Sequence, residues 1–350
     1  MEFGFDIPNM HHGLGLEAYV GGSNIKRLAI GPETFDRLTV RAEDIGFHTL
    51  WIADHIVFPD SSTVAHPLNY QANTGNDDDP GGEGTKVRSA DPIYEALSLL
   101  GFLGGRTSRC RLGIGILVIP YRNPVLIAKM LATVDVLTRG RVTVGAGVGW
   151  LKESFDAVGA DYEHRGAVTD EYIDAMRVLW TADAPEFDGK HFALPSGMRF
   201  LPKPIQKPIP IFIGGSSPPA LRRAAARGDG WIAPYQSLDQ FVENRRRVLS
   251  LVEKNGRDPS TFKFVNQVRF QVLDEDGPAT DDCIGKPERV AHLVRAFAEA
   301  GVDHLQLKPA PGPTTDSMIE QADRFADQIL PLIGDLWHPA PRPQAVDYRR

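Results

Sequence analysis

The sequence predicts an α/β fold, a (β/α)8 TIM barrel with insertions at the C-terminal face of its strands. Three observations lead there. Short apolar runs bounded by glycine, proline or charge alternate with segments of helical periodicity. Eight such strand-and-helix pairs follow one another along the 350 residues. No composition shift or fixed-period repeat divides the chain, and its 42% hydrophobic content can fill one large core. A doubly wound open sheet also fits the alternation, but eight units favour closure.

Taken in order, the first strand is Phe3 to Ile7 and its helix Pro32 to Asp44; the second strand, Thr49 to Ala53, leads to a helix over Pro92 to Gly104. Arg111 to Ile116 and Pro124 to Leu137 form the third pair, Val142 to Gly147 and Glu163 to Trp180 the fourth. The fifth and sixth pairs are Pro210 to Ile213 with Pro218 to Ala226, and Gly230 to Ala233 with Leu238 to Asn255. Phe264 to Phe270 with Pro287 to Ala300, and His304 to Leu307 with Thr315 to Ile333, complete the set. Proline opens several of these helices, where a missing backbone donor does least harm. Segments 9–31, 59–91 and 181–207 exceed ordinary connections. The first two leave the C-terminal ends of strands one and two, the face on which barrel enzymes place their sites. We therefore expect one barrel domain over residues 1–337 and a proline-rich tail over 338–350, a surface strap or a disordered end.

A formal net charge of -7 without any basic run gives no pull toward nucleic acid or an anionic membrane, so a small organic molecule is the expected partner. The two cysteines, Cys110 and Cys283, exclude a disulfide framework and fit a reducing, cytoplasmic setting. MEFGFDIP at the start reads as a strand, not as a leader, and no apolar run reaches the roughly 20 residues a membrane helix needs.

Three stretches carry candidate chemistry. In TLWIADH an apolar strand stops at Asp54 and His55, two groups that are costly to bury unpartnered and that a barrel delivers to its active face. The ordinary reading is a capping aspartate and a solvated histidine. In IFIGGSSPPALRRAA a strand runs into Gly214, Gly215, Ser216 and Ser217 before a helix; glycines allow close ligand approach, and helix-start amides and hydroxyls suit phosphate. Its ordinary reading is a glycine turn with a serine cap. TVGAGVGW places Gly145, Gly147, Gly149 and Trp150 at another strand end, without the spacing or downstream acid of a dinucleotide fingerprint. No metal is expected: Asp77 to Asp79 lie in a polar, glycine-rich loop, adjacent His11 and His12 diverge in an extended chain, and His304 stands at a strand start, on the wrong face for a metal-dependent hydrolase.

Three longer stretches, GFHTLWIADH, PYRNPVLIAKMLATVDVLTRGRVTVGAGVGWLKESFDAVGADYEHRG and PIPIFIGGSSPPALRRAAARGDGWIAP, together resemble the luciferase-like monooxygenase superfamily over most of the chain. The Asp54-His55 pair resembles the signature of its branch that uses the deazaflavin coenzyme F420. FMN is the alternative cofactor, and a cofactor-binding protein without turnover a further alternative, against which His55 speaks.

The resemblance implies that His55 is the proton carrier beside the deazaflavin and the substrate, with Asp54 orienting or charge-stabilising it. It implies a non-prolyl cis peptide at Gly115-Ile116 backing the ring, with Leu117 next to it, and cofactor contacts at Gly147, Val148, Gly149 and Trp150. Gly214, Gly215, Ser216 and Ser217 would hold the phosphate. Sugar-phosphate dehydrogenases of this branch bear an acid where Val148 stands, so glucose 6-phosphate is not the expected substrate. The cofactor's phosphodiester and oligoglutamate tail call for cations at the mouth, with Lys152, Arg199, Lys203 and Lys207 as candidates. A homodimer packed through barrel helices is also implied.

Overall fold

The computed structural model describes residues 1–9, 30–57, 92–309 and 314–340. Its strands are β1 (Glu2–Asp6), β2 (Thr49–Ile52), β3 (Arg111–Val118), β4 (Val142–Gly147), β5 (Phe187–Asp188), β6 (Ala193–Leu194), β7 (Ile211–Gly214), β8 (Gly230–Ala233), β9 (Lys263–Val272), β10 (Cys283–Gly285) and β11 (His304–Pro309). The helices are α1 (Pro32–Ile45), α2 (Ala96–Arg106), α3 (Pro124–Leu137), α4 (Lys152–Val158), α5 (Arg165–Thr181), α6 (Pro218–Arg227), α7 (Leu238–Lys254), α8 (Pro287–Glu299) and α9 (Thr315–Arg324).

Eight of the strands pair in parallel in the order β1, β2, β3, β4, β7, β8, β9, β11, and β11 returns to β1 through the register Glu2 to His304, closing the barrel. These eight are the expected strands, with ends shifted by up to two residues. Alternation along each strand splits the apolar residues into two sets. Phe3, Phe5, Leu50, Leu112, Ile114, Val144, Leu305 and Leu307 point outward into the main core beneath the helices. Trp51, Ile232 and Val265 point inward and form a separate cluster with half-buried Ile116 and Phe212. Gly4 and Gly113 make room for the Trp51 indole, because a Cβ on either would run into it.

Departures from the expected elements have local causes. The second helix begins at Ala96, not at Pro92, because Glu95 caps it: its Oε1 accepts from Leu97 N at 3.2 Å and its Oε2 from Ser98 N at 2.7 Å. The last helix does not run unbroken to Ile333. It changes to a π turn over Phe325–Ile329 and a 3-10 turn over Leu330–Leu332, where Pro331 has no N–H to give. Short α4, the β5-β6 hairpin and β10, which pairs with β9 outside the barrel, escaped the sequence pattern because two to seven residues hold too little periodicity. Both cysteines are free and buried, and burial pushes their thiols up, which leaves them inert packing groups. His11, His12, Asp77 to Asp79, nearly all of the segments expected at 9–31 and 59–91, and residues 341–350 of the tail lie outside the described residues.

Candidate active site

The backbone on either side of His55 is fixed residue by residue. Asn9 Nδ2 donates to Ala53 O at 2.7 Å and Asn9 Oδ1 accepts from Ala53 N at 3.1 Å, so a side-chain amide continues the ladder beyond the end of β1. The same Nδ2 reaches Tyr94 O at 3.0 Å. Ile56 packs with Val118, Tyr121 and Phe155, and Ser154 Oγ donates to Val57 O at 2.7 Å. Between these anchors His55 stands half-buried, just past the C-terminal end of β2.

Asp54, expected to orient or charge-stabilise His55, is 2% exposed, and its three hydrogen bonds run to β3 and the turn after it. Arg122 grips it in a fork, Nη1 to Oδ2 and Nη2 to Oδ1, both at 2.8 Å, and Val118 N donates to Oδ2 at 2.9 Å. Arg122 Nη2 also donates to Glu95 Oε1 at 2.7 Å, tying the start of α2 into the same network. A carboxylate so engaged is held in one orientation by charge-assisted bonds.

The Gly115-Ile116 peptide bond is cis, and the β3-β4 register slips there, Gly115 pairing with Gly145 and Leu117 with Ala146. Ile116 lies inside the barrel. A Cβ on Gly147 would come within 2.6 Å of its Cγ2, and one on Gly214 within 2.5 Å of its Cδ1. The strand-end glycines therefore make room first for this isoleucine, not for a ligand. Gly149 adopts φ +76 and backs onto Val118 and Phe155, while Val148 and Trp150 stay half-buried. The side chain of Leu117 is fully buried in the outer core, and its backbone lies at the slip.

At the β7 end the expected cradle divides its roles. Pro218 and Pro219 lack N–H groups, and Ser217 Oγ accepts from Ala220 N at 3.4 Å, so Ser217 is the helix cap and the helix start offers few free amides. Gly215, at φ +108, gives its N–H to Ile232 O at 3.3 Å and its carbonyl to Trp231 Nε1 at 2.7 Å. Ser216 differs from both: its hydroxyl is buried without a hydrogen-bond partner. Among the expected residues it is the one with a donor to spare.

Facing Ile116 across the interior is a polar wall that sequence reasoning missed. Gln306 Nε2 donates to Asp6 Oδ1 at 2.6 Å, and Gln306 Oε1 accepts from Gln267 Nε2 at 3.1 Å. Gln306 lies within 3.4 Å of the space a Cβ on Gly115 would fill, so this chain reaches the cis peptide. Burial pushes the Asp6 carboxyl above its usual range, against the pull of Lys308 and Gln306. Lys308 and Arg269 lie near the Tyr235 ring, 5.9 and 5.2 Å from its centre. Their signal was present in HLQLKP and NQVRFQ, where polar residues recur every second position in otherwise apolar strands.

Of the cations expected at the mouth, Lys152 follows the end of β4 but is paired, and the others are elsewhere. Lys152 pairs with Asp156 one helical turn away at 2.7 Å. Lys203 Nζ caps Leu179 O and Ala182 O at 2.7 and 2.5 Å. The stretch from Arg199 to Lys207 approaches β7 from its start, and Gln206 bonds Val142 O at the start of β4, at the opposite pole. His304, bonded to Trp51 Nε1 at 3.1 Å and to Glu2, is at that pole too. Among the described residues, no group of three or more His, Cys, Asp or Glu could hold a metal ion, and no helix is long and apolar enough to cross a membrane.

The family model described as luciferase-like monooxygenase matches residues 1–283. A Mycobacterium tuberculosis protein described as uncharacterised is 32% identical over 300 residues, covering 84% of this chain and 93% of its own. An F420-dependent glucose-6-phosphate dehydrogenase of Amycolatopsis mediterranei is 28% identical over 353 residues, covering 87% and 95%. Among solved structures, an F420-dependent secondary alcohol dehydrogenase superposes with a TM-score of 0.70 over 95% of this chain and 98% of its own, at 18% identity, a likeness of fold.

Proposed function

Because the chain belongs to the luciferase-like monooxygenase family, we propose that it is a coenzyme F420-dependent oxidoreductase that moves a hydride between the deazaflavin C5 and a small organic substrate. The observation that supports this reading is the anchoring of residues 53, 54, 56 and 57 on either side of His55, just past the C-terminal end of β2. The F420-dependent relative from Amycolatopsis supports the choice of cofactor.

The residues present suit a phosphate-bearing cofactor. The buried, unpartnered Ser216 hydroxyl is a donor waiting for an acceptor, next to a glycine whose left-handed backbone brings the chain close. When bound, the deazaflavin supplies a carbon that gives or takes hydride and reacts poorly with dioxygen. The chain does the rest. An imidazole with an ordinary pKa of about 6.5 can exchange a proton with a substrate oxygen near neutral pH, so His55 serves as proton carrier. Asp54 acts as a positioning residue through Arg122. Ile116 and the Gln306-Gln267 wall limit how deep any ligand can enter. The reading retains a homodimer, for which Phe102 on α2 and Leu126 on α3 present exposed apolar surface.

Fluorescence titration with coenzyme F420 and with FMN, followed by a panel of ketones, alcohols, enones and nitroaromatics, tests the reading. Wild type should bind the deazaflavin and turn over at least one substrate. His55→Asn should keep deazaflavin affinity and lose about 10²- to 10⁴-fold in kcat. Unchanged turnover in that variant would remove His55 from the mechanism. FMN binding without any deazaflavin response would make the protein an FMN-dependent monooxygenase candidate instead.

A further inference from the structure

The surface between α6 and α7 carries charge opposite in sign to the molecule as a whole. A cavity of about 400 Å³ lies there, and its lining includes Arg222 from α6 with Arg246, Arg247 and Lys254 from α7. One carboxylate, Glu243, serves both Arg246 and Arg247, at 2.9 and 2.8 Å. Arg222 and Lys254 form no ion pair among the described residues. In a chain of formal net charge -7, such an accumulation is self-repulsive unless something anionic offsets it. The cavity also has Ser216 in its wall, the residue whose buried hydroxyl has no partner and which belongs to the corner expected to hold phosphate. One residue is thus shared between the phosphate corner and a cationic trough.

We propose that this trough seats the oligoglutamate tail of the deazaflavin cofactor, with Ser216 at the phosphate junction and Arg222, Arg246, Arg247 and Lys254 along the carboxylates. The inference rests on the F420 reading and replaces Lys152, Lys203 and Lys207, which the fold has turned to other partners or to the opposite pole. A string of carboxylates matches a string of cations better than a single phosphate does, and FMN, which ends at its phosphate, leaves the trough unused. The side chains are exposed, so each contact is worth a factor of a few and is screened by salt.

Dissociation constants measured by fluorescence for tailed coenzyme F420, for the glutamate-free deazaflavin phosphodiester and for FMN test the proposal. At about 10 mM salt, wild type should bind the tailed form roughly tenfold more tightly than the glutamate-free form, and the gap should close by about 0.5 M salt. Arg222→Glu with Lys254→Glu should erase the gap and leave affinity for the glutamate-free form unchanged. Lys254→Glu alone, on an exposed last turn, is the second variant and should halve the gap. Equal affinity of wild type for both deazaflavins, or a gap that survives charge reversal, overturns the trough while the F420 reading stands. Binding of FMN with neither deazaflavin bound overturns both.

Discussion

Asp54 shows how a residue's address can be legible while its task is not. TLWIADH places it at a strand end, but the fork to Arg122, whose side chain is 13% exposed, exists only because the turn after β3 brings residue 122 alongside. Removing one partner of such a buried pair strands the other charge. Asp54→Asn should therefore lower stability by about 3 kcal/mol in denaturant titration, and adding Arg122→Met should recover part of the loss. A loss within about 0.5 kcal/mol would mean the fork does not hold this corner. His55 was legible for a different reason: a histidine is one of few groups able to move a proton near neutral pH, and the strand end placed it at the mouth.

At the scale of elements, β3, β4 and β7 are fitted to one another through Ile116. Glycine-rich strand ends read in sequence as room for a ligand; the structure shows that the methyl groups of Ile116 fill that room in part. Gly214→Ala puts a Cβ 2.5 Å from Ile116 Cδ1 and 2.8 Å from its Cγ1, so the Ile116 side chain must shift to admit it. Such overpacking should cost about 2 kcal/mol, and Ile116→Ala in the same chain should restore most of it. A Gly214→Ala protein as stable as wild type would show that Ile116 is free to leave this position. The strands themselves were legible because apolar runs bounded by turn residues carry their own pattern. The fit between them was not, because it depends on register, and one slip at Gly115 reassigns every neighbour.

For the molecule as a whole, the two poles of the barrel do different work. The pole at the strand starts is closed by the chain's described end: Trp337 sets its ring at a tilt 5.3 Å from Phe3 and edge-on 5.8 Å from Phe325, and Ala340 N donates to Gly46 O at 3.1 Å. Trp337→Ala should lower stability by about 2 kcal/mol, read as a shifted denaturant midpoint, with turnover unchanged. A drop in kcat at full occupancy would tie this pole to the site. The opposite pole gathers His55, Ile116, Ser216 and the Gln306 wall from five different strands or their ends.

The sequence by itself determined the eight-fold alternation and the strand ends at which His55 and Ser216 stand, because periodicity and residue chemistry are local properties that survive without coordinates. Tertiary structure decided that Asp54 is an anchor, that Ile116 occupies the space the glycines leave, and that Ser216 shares a cavity with cations of α6 and α7. Each of these depends on a partner distant along the chain, and only closure of the barrel chooses that partner.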